Sequence, residues 1–202
     1  MRTANDFLKQ LEVLSGRTQW SLFEPSSQFY SMLESGEDAD LVAAAKAISA
    51  HMGIPSLRLV SYEWGLLMPA SVAGRIHIQT GKIQIPMFYV GKPLALGAIL
   101  AHELSHQLLA IHHIWAENEQ ANEQLTDAAS IIAGLGKLVL NGSISEITDG
   151  SGEAELLGYL DLPTRVEIYS KVANLHGISD NLRVSFLTAG AIDLLRTKGN
   201  RH

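Results

Sequence analysis

Apolar residues along this chain recur mainly at helical spacing, with one alternating stretch in the first half. Residues 4–15 read as a short amphipathic helix, and residues 16–38 hold loop signals around a single helical turn. "DADLVAAAKAISAHMG" has the spacing of a helix that stops at Gly53, a residue suited to a C-cap. "IPSLRLVSYEW" predicts a strand, and "RIHIQTGKIQIPMF" alternates as a half-buried hairpin with "TG" at its tip. From Pro93 to about His113 the pattern is helical again. A second helix is predicted over 119–140, stopping at an "NG" pair. The Gly/Ser-rich stretch "GSISEITDGSGEAELLG" reads as a long loop, and two more helices are predicted near 162–175 and 180–196. A helix, a small sheet and then a run of helices predict an α+β fold.

Length and composition narrow this picture a little. The 202 residues suit one domain, 1–202, divided into an N-terminal appendage (1–38), a core (39–140) and a C-terminal helical part (141–202). With 47% hydrophobic and 18% charged residues the chain can build a sizeable core. The net charge is −6, and Lys and Arg are scattered, so no basic stripe points to nucleic acid. Cysteine is absent, which excludes disulfides, thiolate metal sites and a cysteine nucleophile. The N-terminus lacks the apolar run of a signal peptide. "LALGAILA" and "IIAGLGKLVL" fall short of the roughly 20 residues a spanning helix needs. The expectation is a soluble, cytoplasmic protein with no transmembrane segment.

Chemistry enters at residues 98–110, "AILAHELSHQLLA", where His102, Glu103, Ser105 and His106 interrupt an apolar run. His102 and His106 are four positions apart, so they leave one helix face about one turn apart. At that separation two ring nitrogens can bind the same tetrahedral ion. Glu103 points to the neighbouring side, within reach of a water on that ion, which completes the HExxH pattern of two zinc ligands and a general base. With 8 His in 202 residues, chance would place this pattern in about 2% of such chains. An open zinc site needs a third protein ligand. Glu123 in "ANEQLTDAAS" follows His106 by 17 residues, enough for one helix to end and another to return antiparallel. Asp127 lies one turn further on the same face, suited to accept the other N–H of a ligating histidine. Flanking "AILA" and "LLAI" argue that these polar groups are buried, where metal coordination would satisfy them.

"LAHELSH" and "NEQLTDAA" resemble the gluzincin metallopeptidases, whose third ligand is the glutamate of ExxxD. Within that clan the chain is most similar to the HtpX and CAAX-prenyl-protease family and to minimal soluble gluzincins. The resemblance spans roughly residues 40–140 and is strongest at the two motifs. It departs from the family in lacking membrane helices and in having "PASVAG" where an asparagine-containing edge strand is expected. What it implies is a zincin-like fold and a Zn2+-dependent endopeptidase. His102, His106 and Glu123 would hold the metal, Asp127 would brace a ligand, and Glu103 would shuttle the proton of the attacking water. An extended peptide or protein substrate would pair with an edge strand near residues 70–78. Gluzincins often stabilise the oxyanion with a downstream Tyr, His or Arg. Tyr159 in "ELLGYLDLP" is the first choice for that role, ahead of His176 and Arg165.

Other features attract blander readings. His112 and His113 fall at a predicted helix C-terminus, where the dipole favours a cation, and His77 reads as structural. Gly134 and Gly136 read as close helix packing. The loop 141–158 is long enough to act as a lid over the site. Two competing functions are a zinc-binding domain without hydrolytic activity and a transcription-linked protein with a metalloprotease-like domain. The intact Glu103 disfavours the first, and the second calls for a DNA-binding segment that the sequence does not display. Substrate specificity and oligomeric state are not legible.

Overall fold

The computed structural model describes residues 2–15, 20–54, 62–65, 73–78, 80, 82–144 and 157–199. Helices dominate, and they surround one central apolar helix. The predicted helix over 4–15 is broken at Leu11 into α1 (Ala4–Gln10) and α2 (Glu12–Ser15). Where one helical turn was expected, Ser26 caps the amide of Phe29 and starts a nine-residue helix, α3 (Ser27–Ser35). Next comes α4 (Asp38–Met52), which ends as expected at Gly53 with φ 65°.

Three short strands follow: β1 (Tyr62–Gly65), β2 (Arg75–His77) and β3 (Lys82–Pro86). Their order is β1-β3-β2, with β1 parallel and β2 antiparallel to β3. The hairpin register pairs Ile76 with Ile83. Ile83 and Ile85 of β3 are buried, while Arg75 and His77 stand exposed on β2, an edge strand. Residues 55–61 of the predicted first strand, Gly81 of the hairpin tip and residues 66–72 lie outside the described residues.

A short 3-10 turn (Met87–Tyr89) leads into α5 (Pro93–Ile111), which Pro93 opens at a position that needs no N–H donor. At 19 residues α5 is long and apolar enough to cross a membrane by length and composition alone. Some 67% of that stretch is buried inside the molecule, so its apolar residues serve as core. Leu100, Ala101 and Leu104 are wholly buried among residues from α4, β3 and the helices that follow.

Asn118 caps α6 (Glu119–Ser130) through the amide of Ala121. The predicted single helix over 119–140 does not persist. A π-type turn, Ile131–Leu135, interrupts it, with Gly134 at φ 97°, before α7 (Gly136–Ile144) begins. The "NG" pair is not a stop, because Asn141 and Gly142 lie inside α7. A Cβ on Gly142 would overlap that of Ala98, so this glycine lets α7 pack closely on α5. Gly136 likewise leaves room for the ring of Tyr169, in keeping with the packing role read from "AGLGK".

The C-terminal part holds α8 (Leu162–Leu175), capped by Asp161, then α9 (Asp180–Val184) and α10 (Ala189–Gly199). The expected helix over 180–196 is split at residues 185–188, where Phe186 has φ 59°. These elements bear out a loosely α+β, mostly helical class.

Candidate metal centre

Four side chains from α5 and α6 meet where the two helices pack. One ligand atom each from His102, His106 and Glu123 lies within 4.8 Å of the others. Helical spacing does most of this: 102 and 106 are one turn apart on α5, as are 123 and 127 on α6. His102 Nε2 is 2.9 Å and His106 Nε2 3.3 Å from the same oxygen, Glu123 Oε2.

Each histidine is braced from behind. His102 Nδ1–H donates to Asp127 Oδ1 at 2.8 Å. On the other ring, Nδ1 lies 3.2 Å from Thr126 Oγ1, whose own proton is given to the Asn122 carbonyl. That hydroxyl therefore accepts from His106 Nδ1, which turns the Nε2 edge of the ring toward the cluster. Thr126 was not singled out from the sequence. Its signal was there all the same: at i+3 from Glu123, it shares the face of α6 that carries Glu123 and Asp127.

Charge in the cluster follows from these contacts. Burial pushes the His102 ring down, but its bonds to Asp127 and Glu123 outweigh this and raise it to about 10. Burial raises Glu123, and the two histidines more than reverse that, bringing it to about 2. Asp127 is also held below its usual value, since His102 and Arg165 overcome its burial. Glu103 behaves differently: burial raises its carboxyl, and His102 and His106 only partly offset the effect. Only 4% exposed, it lies beneath β2, where a Cβ on Gly74 would sit 2.8 Å from its Oε1.

Asp127 joins this cluster to the C-terminal part. Its Oδ2 accepts the amides of Tyr159 (2.6 Å) and Leu160 (2.8 Å) and lies 3.3 Å from Arg165 Nη2. Arg165 Nη1 donates to Ser143 Oγ and to the Leu157 carbonyl. Gly158, at φ 99°, fits between them: a Cβ there would overlap Arg165 Nη2 and lie 2.8 Å from Asp127 Oδ2. Sequence reading had no means to find this glycine, because its partners are distant in the chain.

The three candidates for the oxyanion role are thereby separated. Tyr159, half exposed, stacks on the His102 ring with centroids 5.7 Å apart. Its phenol is raised by burial and by the nearby carboxylates of Glu123, Glu103, Asp127 and Glu119. Arg165 is buried to 1% exposure and committed to holding Asp127 and residue 157. His176 ends α8, where its ring stacks on Trp20 at 3.6 Å, and it does not line the cavity. His112 caps α5 and His77 is exposed on β2. Residues 145–156, most of the expected lid, lie outside the described residues.

A cavity of about 300 Å³ opens in front of the cluster. One wall is β2 with its flanking residues, including Arg75 and Ile76. Residues Glu119 and Glu123 of α6 also line the cavity, as do Leu157 and Tyr159. Two imidazole nitrogens and a carboxylate oxygen make a donor set that could hold a divalent metal ion. Comparison with family models, with curated proteins and with solved structures returns no match for this chain.

Proposed function

We propose that the protein is a zinc-dependent endopeptidase of zincin-like architecture. The observation that carries this reading is the convergence of His102, His106 and Glu123 in a cavity that also holds a buried, uncoordinated carboxylate, Glu103. A purely structural zinc site would be closed by a fourth protein ligand and would need no such base. When bound, zinc would polarise the scissile carbonyl and lower the pKa of a water to about 7.

The chain's own residues do the rest. Asp127 and Thr126 fix the two rings so that both Nε2 atoms face one point. Burial gives Glu103 a raised affinity for a proton, which suits a group that must take one from water and pass it to the leaving amine. Tyr159 stands beside His102, where its hydroxyl can donate to an oxygen that becomes negative. The edge strand β2 offers main-chain groups to an extended peptide along the cavity wall.

Elemental mass spectrometry of the purified protein beside His106→Ala is the first test. About one zinc per chain, lost in the variant, supports the site; no zinc uptake at neutral pH overturns it. With zinc established, Glu103→Gln is expected to keep the metal and lose at least about 100-fold in peptide hydrolysis. Full activity in Glu103→Gln would remove the mechanism.

A further inference from the structure

The cavity carries two charged side chains that the proposed chemistry does not use. Arg75 is exposed on β2 and Glu119 is exposed at the start of α6. Both line the cavity, one from β2 and one from α6. Among the described residues neither has an ion-pair or hydrogen-bond partner.

Charge balance sets these two apart. With a divalent cation at the cluster, Glu103 and Glu123 balance its charge, and Asp127 balances Arg165 at 3.3 Å. Arg75 and Glu119 are then the lining charges with no counter-charge among the described residues. Glu119 lies one turn from Glu123 on the same face of α6, and it is close enough to Tyr159 to help raise that phenol. Arg75 shares the exposed face of an edge strand, so a peptide added alongside β2 would carry a side chain directly across from it.

We infer that the cavity selects peptides of opposed charge, with an acidic side chain alongside Arg75 on β2 and a basic one toward Glu119 on α6. This rests on the peptidase reading and names the substrate class for it. A neutral substrate would leave both charges to water. A peptide charged in the reverse order would meet repulsion at both residues, so the order of charges around the scissile bond is what the site reads.

Two fluorogenic octapeptides of identical composition test this, one with Glu before and Lys after the central bond, the other with the two exchanged. Cleavage is read on the zinc-loaded enzyme, and binding by fluorescence anisotropy of labelled peptides on zinc-loaded Glu103→Gln. One order is expected to be favoured about five-fold, with the preference fading at about 1 M salt. The double variant Arg75→Glu/Glu119→Lys is expected to prefer the opposite order. Both side chains are exposed, and the milder pair Arg75→Gln and Glu119→Gln should each flatten the preference, so a misfolded double variant does not end the test. Equal treatment of the two orders, the same order preferred by wild type and double variant, or no binding of either peptide overturns the inference. Cleavage without order preference would sink this inference and keep the peptidase reading. Order-dependent binding that inverts in the double variant, with no cleavage by wild type, would do the reverse.

Discussion

His102 is held at both ring nitrogens, 2.8 Å from Asp127 and 2.9 Å from Glu123, and this governs how the site answers to pH. In the metal-free protein the ring keeps its proton up to about 10, against an ordinary value of 6.5. A raised pKa contributes stability that is fully present below pH 6.5 and is lost as pH climbs through about 10. Glu123, lowered to about 2 from 4.5, contributes stability that is present above pH 4.5 and lost as pH falls through about 2. Both describe one ion pair, so melting temperature without metal should be highest between about pH 4.5 and 6.5 and decline toward pH 10. Zinc must displace the His102 proton, so its stabilisation should be larger at pH 8 than at pH 6, with proton release on binding. A zinc-induced shift that is the same at both pH values would contradict this. Thr126 gives a second residue-scale prediction. Thr126→Val keeps the side-chain shape but removes the acceptor for His106, and should weaken zinc binding by about 10-fold with the fold intact. A competition assay with a zinc-sensitive dye measures it.

Helix α7 shows how one element serves three neighbours. Val139 and Ser143 face the cavity, Gly142 meets α5 at Ala98, and Lys137 and Asn141 hold the turn before α10. The buried Lys137 ammonium bonds both oxygens of Glu24 at 2.7 Å, the Leu182 carbonyl and Ser185 Oγ. Replacing it by Met would strand those acceptors, and we expect a loss of about 2–3 kcal/mol in urea unfolding. The figure is kept low because Glu24 is 33% exposed and can turn to water. At the connection after α7, Gly158→Ala should destabilise by about 1–3 kcal/mol and also loosen zinc, since φ 99° and the contact with Asp127 both oppose a Cβ. Unchanged zinc affinity in that variant would show that residues 157–160 are not coupled to the metal centre. These elements also mark what was legible in the sequence. The HExxH and ExxxD pairs were readable because their geometry is local, one helical turn, and so was the cap at Gly53. The breaks at 131–135 and 185–188 were not, since each depends on what a distant segment offers. Gly134 meets the Ser21 carbonyl, and the Phe186 carbonyl is held by Asn141. Helical periodicity runs through both without a mark.

At the scale of the whole molecule, the question is whether a metal at the proposed site would hold the fold or the fold would hold the metal. Residues that bury the site belong to a core built without it: Leu100 and Leu104 of α5, Leu125 and Ala129 of α6 and Leu138 of α7 are all fully buried against one another and against α4. The ligand rings and carboxylate, in contrast, form a small cluster at the edge of that core, 15–20% exposed. In the absence of metal they satisfy one another through hydrogen bonds, so no buried charge is left unpaired. The chain should therefore behave unlike a zinc finger, in which the metal supplies the folding free energy. Chelation is expected to leave far-UV circular dichroism nearly unchanged while lowering the melting temperature. With free zinc at 100 times its dissociation constant the bound metal adds about 2.7 kcal/mol. For a chain of this size that corresponds to roughly 5–10 °C. The shift should vanish in Glu123→Ala, which cannot close the cluster, and persist in Glu103→Gln, which is not among the three proposed ligands. Collapse of helical signal on chelation would reverse the order of dependence, making α5 and α6 pack only because the ion ties them together.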